Sequence, residues 1–364
     1  LVGIDLGPHV AASLLSTLPA DDAYRSVHRD SPLITKMIAE GFTGRKGKGG
    51  FYRMEAGAEG KKTKLAIDLT TGAYRPATEK PRLASLEASK QGGLRALLEH
   101  PDKGGRFARQ MLTQTLGYAA SLVPAIADRI SSVDEAMKTG YSWEFGPFEL
   151  LDKIGPAWFA AQLEKAGAAV PELLRSVGSG TFYRVEAGKL QEFGLDGTYH
   201  DVVRPEGVLL LADIKRASKP VAKNSSASLW DLGDGVLCLE FHTKMNALDE
   251  GIMRQIEKAS GLITDKKSAG RWKALVISND GSNFSVGANL GVALFAANLA
   301  MWPAIEMSIA QGQETFRRMK YASFPTVGAP SGMALGGGCE ILLHCSAVQA
   351  HAETYMGLVE VGVG

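Results

Sequence analysis

The spacing of apolar positions differs from one part of the chain to the next. Residues 105–130, GRFARQMLTQTLGYAASLVPAIADRI, place apolar side chains three and four positions apart, which predicts a long amphipathic helix. Residues 235–242 and 273–279, GVLCLEFH and KALVISN, are short apolar runs typical of buried strands. A helical pattern over 248–263 lies between them. This order of strand, helix and strand predicts an α/β unit with a crossover helix.

A second pattern is an internal repeat. The heptapeptide FYRMEAG at 51–57 returns as FYRVEAG at 182–188, and the residues before each copy also correspond. Each copy has a helical pattern, a second short helix, a glycine stop and an aromatic-rich extended piece. After the first copy, residues 64–77 predict a hairpin, because an alternating run surrounds Thr-Gly. We interpret the repeat as a duplicated helical unit.

Shifts in composition divide the chain into segments. Ser, Lys and Asn dominate residues 215–230, which fits a linker or the first edge strand of a domain. Apolar and glycine residues at both ends are typical of structure that continues, so we expect a piece of a longer polypeptide. The predicted segments are a first helical domain (1–55), a hairpin-containing connection (56–104), a second helical domain (105–214), a linker (215–227) and an α/β domain (228–364).

Composition excludes several classes of function. The chain has 40 basic and 39 acidic residues, so charge gives no sign of a nucleic-acid partner. Its three cysteines are few and lie in apolar surroundings, which indicates a reducing compartment, and we expect a cytoplasmic location. The longest apolar stretch, Leu290 to Ile305, contains Asn298 and Pro303 and is too short for a transmembrane segment. It predicts a buried helix instead.

The stretch GMALGGGCE at 332–340 is the first candidate for chemistry. A short strand runs into three glycines, and a helix begins near Cys339. Backbone N–H groups at a helix start lack intrahelical partners, so they can polarise a carbonyl oxygen or stabilise an oxyanion. A second turn, NFSVGANL at 283–290, can present the N–H of Ala288 to the same oxygen. Close packing of helix on sheet is the alternative explanation of the glycines.

Two glutamates accompany these turns. Glu340 lies at the predicted helix start, and Glu360 stands between Val359 and Val361. A carboxylate in an apolar run is partly desolvated, which suits it to proton transfer. The pair could act as acid and base on one cleft. The alternative for each is a solvated helix or strand end.

These motifs resemble the crotonase (enoyl-CoA hydratase) superfamily from about residue 225 onward. The resemblance rests on KMNALDEG at 244–251, FSVGANL at 284–290, GMALGGGCE at 332–340 and Glu360. It implies an α/β domain of the ββα spiral type, with Ala288 and Gly337 holding the thioester oxygen of an acyl-CoA. It also implies that Glu340 activates water, that Glu360 protonates the α-carbon, that no metal takes part, and that the domain could assemble a homo-oligomer. Asn289 stands where the family usually has Asp. The implied CoA-binding residues are Lys244, Ala247, Val286, Asn289 and Leu290.

The first 220 residues resemble the C-terminal helical region of 3-hydroxyacyl-CoA dehydrogenases. The matching pieces are GFTGRKGKGGFY at 41–52 and ISSVDEAMKTGYSWEFGPFELLD at 130–152. The resemblance implies a multi-domain chain, with duplicated all-α dehydrogenase C-terminal domains followed by a truncated crotonase domain. It also implies an NAD-binding domain before Leu1, because no GxGxxG signature is present in this sequence.

Together the two resemblances imply an enzyme of fatty-acid β-oxidation. Such a chain would combine a 3-hydroxyacyl-CoA dehydrogenase, using NAD, with hydration of trans-2-enoyl-CoA to (3S)-3-hydroxyacyl-CoA. Other crotonase chemistry, namely isomerisation or thioester hydrolysis, is one alternative. A non-catalytic assembly module is another.

Overall fold

A computed structural model describes residues 3–56, 62–77, 82–265 and 270–363 of the chain. The chain divides into two compact units. The first comprises Leu1–Phe182 with Phe193–Thr198, and the second comprises Tyr183–Glu192 with Tyr199–Gly364.

Helices dominate the first unit, and side-chain caps set several of their starts. Ser31 accepts a hydrogen bond from the Ile34 amide, with Pro32 at the first helical position, and Asp102 accepts one from the Gly105 amide. The predicted helix over 105–130 ends early, at Ser121. The helices are α1 (Leu6–Thr17), α2 (Ala23–Val27), α3 (Pro32–Ala39), α4 (Ala84–Glu99), α5 (Lys103–Ser121), α6 (Ile130–Tyr141), α7 (Pro147–Ile154), α8 (Pro156–Lys165) and α9 (Glu172–Val177).

The core of the first unit forms where α5 to α9 meet. Phe148 and Phe182 are fully buried and pack edge to face, with ring centroids 5.0 Å apart. The carboxylate of buried Asp134 accepts hydrogen bonds from the backbone amides of Phe148 and Glu149, so α6 caps the start of α7.

A small three-stranded sheet follows the helices in each copy of the repeat. The first comprises β1 (Tyr52–Ala56), β2 (Lys62–Ile67) and β3 (Tyr74–Pro76); the second comprises β4 (Tyr183–Glu186), β5 (Lys189–Phe193) and β6 (Tyr199–Asp201). Strands β2 and β3 form the hairpin that the sequence predicts. An arginine covers a tyrosine ring in each sheet: Arg53 over Tyr74 at 4.4 Å and Arg184 over Tyr199 at 4.0 Å. The repeat therefore continues beyond its heptapeptide, although Gly57 lies outside the described residues.

The second unit is built on a six-stranded sheet. Its elements are α10 (Leu211–Ala217), β7 (Ala222–Lys223), β8 (Ala227–Asp231), β9 (Val236–Phe241), α11 (Glu250–Thr264), β10 (Ala274–Ile277), β12 (Thr326–Gly328) and β14 (Ala347–Val348). The strand order in the sheet is β14-β12-β10-β9-β8-β7. Strands β9, β10, β12 and β14 run parallel, and β7 and β8 add antiparallel strands at one edge. The helix α11 crosses from β9 to β10, which confirms the predicted α/β unit.

A second, smaller parallel sheet consists of β11 (Asn283–Ser285), β13 (Met333–Leu335) and β15 (Tyr355–Gly357), in the order β11-β13-β15. The further helices of the described part of this unit are α12 (Leu290–Asn298), α13 (Trp302–Lys320), α14 (Gly337–Leu343) and α15 (Glu360–Val363). The segment 215–227 contains the end of α10 and the edge strand β7, and α10 packs Leu211 against Trp230 and Cys238.

The prediction of one buried helix over Leu290 to Ile305 is wrong. The structure breaks this stretch into α12 and α13, with Ala300 in a left-handed conformation and Pro303 in the first turn of α13. Phe295 and Trp302 are 66% and 60% exposed. Across the described ranges, no helix meets both requirements of a membrane span, length and sustained apolar character.

Candidate active site

The glycine-rich stretch joins β13 to α14, and each of its glycines meets a different neighbour. Gly336 has φ +52°, and a Cβ there would lie 2.9 Å from the Glu360 carboxylate oxygen Oε1. A Cβ on Gly338 would collide with the carbonyl of Ser285 in the adjacent strand β11. The alternative explanation, close packing of helix on sheet, therefore accounts for Gly338. It does not account for Gly336, where a carboxylate approaches the backbone.

Gly337 faces the second glycine-containing turn. The Ala288 amide nitrogen lies 3.6 Å from the position that a Cβ would occupy on Gly337. From the other side, a Cβ on Gly287, which has φ +88°, would lie 3.1 Å from the Gly337 nitrogen. The structure thus brings the two predicted amide groups next to each other at one surface, where Ala288 is exposed.

Both amides are available to a ligand. Throughout the described ranges, neither the Ala288 N–H nor the Gly337 N–H donates to a backbone or side-chain acceptor. The carbonyl groups of the same two peptide units are occupied. Gly287 O accepts from the Leu248 amide at 2.8 Å, and Gly336 O accepts from the amides of Cys339 at 2.8 Å and Glu340 at 3.0 Å.

The two predicted carboxylates lie at the same end of α14. Glu340 is in its first turn, and Glu360 begins α15. Burial, then the Glu360 carboxylate and then the Glu340 carboxylate raise the pKa of the Cys339 thiol, so both negative charges act on one buried group. The expected desolvation of Glu360 is wrong for this structure, because both glutamate side chains are exposed. Apolar neighbours in the sequence do not by themselves bury a carboxylate, because acidic side chains mostly stay in contact with solvent.

The predicted CoA-binding residues come from two segments that lie side by side. Lys244 begins a short turn, Lys244–Asn246, in which Met245 and Asn246 have a left-handed backbone, and Ala247 follows it. The Val286 amide donates to Met245 O at 3.3 Å, and a β-bridge joins Leu248 to Ala288. The structure therefore brings together the five predicted positions, with Asn289 preceding α12 and Leu290 as its first residue. The side chain of Leu290 lies outside the described part of the structure.

Sequence reasoning missed two contacts that support the turn. The side chain of Leu248 reaches the empty face of Gly337, with its Cδ1 3.1 Å from the position that a Cβ would occupy there. The Asn246 side-chain amide donates to Asn283 O at 2.9 Å. Asn246 has a left-handed backbone. An asparagine in a loop is only a weak sequence signal for that conformation, and nothing in the sequence indicates that its side chain binds Asn283 O.

A cavity of about 1100 Å³ lies within the first unit, among α2, α5 and α8. Arg106, Arg109 and Lys165 contribute cationic side chains to its wall. None of the predicted catalytic or CoA-binding residues lines this cavity, so we assign it no part in the site.

Curated proteins are similar to this chain along its whole length. No protein-family model matches the chain. It is 38% identical over 372 residues to a Bacillus subtilis (strain 168) protein named "Probable 3-hydroxyacyl-CoA dehydrogenase", covering all of this chain and 45% of that protein. It is 32% identical over 364 residues to the "Putative fatty acid oxidation complex trifunctional enzyme" of Rickettsia felis, covering all of this chain and 46% of that protein.

Shorter matches concern hydratases. A crotonyl-CoA hydratase from Syntrophomonas wolfei is 32% identical over 130 residues, which are 35% of this chain and 47% of that protein. The solved enoyl-CoA hydratase/isomerase of Xanthobacter autotrophicus Py2 matches 38% of this chain and 51% of its own, with 23% identity and a TM-score of 0.34. The chain spans just under half the length of the full-length relatives it matches. It is similar, along its whole length, to curated proteins named as 3-hydroxyacyl-CoA dehydrogenase and as fatty acid oxidation trifunctional enzyme.

Proposed function

We propose that residues 228–364 form a crotonase-type ββα domain that hydrates trans-2-enoyl-CoA thioesters. The observation that carries this proposal is the adjacency of two unpaired backbone amides, those of Ala288 and Gly337, beside two carboxylates. Two N–H donors directed at one carbonyl oxygen stabilise the negative charge that the oxygen acquires during the reaction. The hydratase named among the relatives supports the same chemistry.

The thioester oxygen accepts hydrogen bonds from the amides of Ala288 and Gly337. Polarisation of this carbonyl makes C3 of the conjugated enoyl group electrophilic. Glu340 removes a proton from a water molecule as its oxygen bonds to C3, and the electrons of the C2=C3 double bond move into the enolate held by the two amides. Each oxyanion donor of this kind typically contributes about 2.7–4 kcal/mol to catalysis.

Glu360 acts in its protonated form and then delivers its proton to C2. The enolate electrons form the new C2–H bond, the thioester carbonyl is restored, and the product is a (3S)-3-hydroxyacyl-CoA. Exchange with solvent afterwards removes the proton from Glu340 and returns one to Glu360. General acid–base catalysis by positioned carboxylates contributes typically 10²–10⁴-fold.

The CoA portion lies, in this proposal, along the paired segments that carry the five residues Lys244, Ala247, Val286, Asn289 and Leu290. Lys244 is exposed and cationic, so it can meet a phosphate group of CoA. The domain would also mediate any homo-oligomer, and the protein would act in the cytoplasm.

The remainder of the chain belongs, in this proposal, to a 3-hydroxyacyl-CoA dehydrogenase. Residues 1–55 and 105–214 would be the duplicated C-terminal domains, 56–104 their connection and 215–227 the linker to the hydratase. The expected all-α character of these domains is wrong, because β1 begins in the first range and β4, β5 and β6 lie in the second. The relatives that cover the whole chain carry dehydrogenase and fatty acid oxidation names, which supports this assignment. No strand in the described ranges leads through a GxGxxG turn into a helix, so we assign no NAD contact to any residue here. The dehydrogenase would oxidise the alcohol that hydration produces.

Replacement of the glutamates tests the hydratase assignment. We expect Glu340→Gln and Glu360→Gln each to lower kcat for crotonyl-CoA hydration by about 10²–10⁴-fold, because each removes a proton carrier. Glu353→Gln is the matched control, because Glu353 is an exposed carboxylate on the loop before β15. Full hydration by Glu340→Gln would defeat the proposal. Thioester binding without hydration in the unaltered protein would favour other crotonase chemistry, and no binding at all would favour an assembly module.

A further inference from the structure

Two consecutive residues beside the thioester site have a left-handed backbone. Met245 has φ +56° and Asn246 has φ +53°. They form the one consecutive pair of left-handed non-glycine residues in the described ranges. Side chains with a Cβ disfavour this conformation, and Asn tolerates it better than Met. Strain of this kind persists only where surrounding contacts hold it, and it is frequent at functional sites.

Contacts from both residues hold the segment against the second glycine-containing turn. The half-buried Asn246 side chain donates from Nδ2 to Asn283 O at 2.9 Å. Met245 O accepts from the Val286 amide at 3.3 Å. These two hydrogen bonds join Met245 and Asn246 to residues 283–288.

Leu248 makes the third connection, and this one reaches the peptide unit that carries the Ala288 N–H. Its amide donates to Gly287 O at 2.8 Å. Gly287 O and the Ala288 N–H belong to the same peptide unit, which is planar and trans, so they point in opposite directions. A donor that holds the carbonyl therefore sets the direction of the N–H. The same hydrogen bond polarises the peptide unit and makes its N–H a stronger donor.

We infer that Asn246 is a positioning residue of the thioester site, which orients the Ala288 amide through the segment 244–248 and the Leu248–Gly287 hydrogen bond. This inference rests on the proposed function, because it assigns the Ala288 amide to the thioester oxygen. The Asn246 side chain itself touches neither the substrate nor the reacting atoms.

Two substitutions separate the side-chain hydrogen bond from the backbone conformation. Asn246→Gly allows the left-handed conformation but removes the donor, and Asn246→Asp keeps the shape but cannot donate to Asn283 O. We expect each to lower kcat for crotonyl-CoA hydration by roughly 10- to 100-fold, with a smaller change in KM, because a misplaced donor stabilises the transition state less. Raman difference spectra of bound crotonyl-CoA should show a smaller shift of the thioester carbonyl stretch than in the unaltered protein.

Asn224→Ala is the control for a general loss of stability. Its side chain also donates to a backbone carbonyl in the second unit, Gly251 O at 2.8 Å, and within the described ranges its other hydrogen bonds are to the amides of Ser226 and Ala227 and not to the turn at 283–288. We expect this variant to keep the kcat and the carbonyl shift of the unaltered protein. Thermal unfolding of every variant confirms that folded protein is compared.

The outcomes distinguish the inference from the proposed function. In one outcome, the unaltered protein hydrates crotonyl-CoA and shows the full carbonyl shift, and Asn246→Gly and Asn246→Asp keep both properties. That outcome would overturn the inference and would still support the proposed function. Loss of the carbonyl shift in Asn224→Ala as well would also overturn it, because the effect would then be one of stability. No hydration and no carbonyl shift in the unaltered protein would overturn both.

Discussion

The Ala288 nitrogen and Gly337 are neighbours: a Cβ on Gly337 would lie 3.6 Å from that nitrogen. Ala288 lies in the loop after β11 and Gly337 is the first residue of α14, so each residue shortly follows a strand of the small sheet β11-β13-β15. Because β11 and β13 are parallel partners, their carboxyl ends lie at the same edge, and the loops that follow them meet there. The sheet is therefore what places the two amides together.

The close contact between Gly338 and β11 predicts that no side chain larger than that of glycine fits at position 338. Gly338→Ala should lower the free energy of unfolding by about 1–3 kcal/mol, because the new Cβ would collide with Ser285 O and push α14 away from the strand. Urea unfolding measures the change. Gly312→Ala in α13 is the matched control, because the space around Gly312 is open. Alanine at this helical position should raise the free energy of unfolding by about 0.5–1 kcal/mol. Equal stability of the two variants would contradict the packing described for Gly338.

The position of Glu360 predicts a change in the acidity of a neighbouring thiol. Glu360→Gln should lower the pKa of Cys339, because removal of a nearby negative charge makes the thiolate less unfavourable. The ultraviolet absorbance of the thiolate during a pH titration measures this pKa, with Cys339→Ser protein as the blank. Glu353→Gln should leave the titration unchanged. A Cys339 pKa that is the same with and without the Glu360 carboxylate would mean that Glu360 lies elsewhere, which would also weaken its assignment as a proton donor.

Buried Cys238 predicts a loss of stability in alkaline solution. Burial, with help from Glu240 and Asp280, raises the pKa of this thiol from 9.0 to about 12 in the folded protein. In the unfolded chain the thiol ionises at its ordinary pKa, so the stabilisation present below pH 9 is lost as the pH rises toward 12. The free energy of unfolding should fall by about 1.4 kcal/mol per pH unit from this one group.

Comparison with Cys238→Ala isolates that contribution. The variant should lose stability less steeply above pH 9, although Cys345, whose pKa burial also raises to about 12, keeps a slope of the same sign. Denaturant unfolding at several alkaline pH values measures both slopes. Parallel curves for the two proteins would show that Cys238 does not stay protonated in the folded state.

Elements with a strong local pattern were predictable from the sequence. Strands β9 and β10 are parallel and buried, so they read as continuous apolar runs, and the α11 pattern between them identified the crossover. The Thr-Gly turn identified the β2–β3 hairpin because the alternating residues on either side pair directly across it. In both cases the information lies within a few residues of the element.

Features that depend on distant residues were not predictable. The apolar side chains of α12 have the composition of a core helix, yet composition does not tell which face another element covers, and Phe295 is exposed. Glu360 is likewise exposed despite two apolar neighbours. The left-handed Met245 has no local cause in its sequence, since contacts with residues 283–288 hold it.

For the candidate site, the sequence identified the glycine turns and the glutamates, and the structure supplied the reason for each glycine. In the sequence, the three adjacent glycines suggest a single shared role. They instead meet a carboxylate at Gly336, a neighbouring amide at Gly337 and a strand carbonyl at Gly338. The neighbour that each glycine meets depends on the register of β11 against β13, and this register cannot be read from the sequence alone.

The main-chain nature of the two donors has an evolutionary consequence. Point mutations exchange side chains and, unless they introduce proline, leave the N–H of a peptide unit in place. A lineage that inherits this pair of turns can therefore replace either glutamate while the two N–H groups stay available to an oxygen atom of a ligand. Descent from a common ancestor would then preserve the binding of a ligand oxygen more faithfully than the reaction that follows binding.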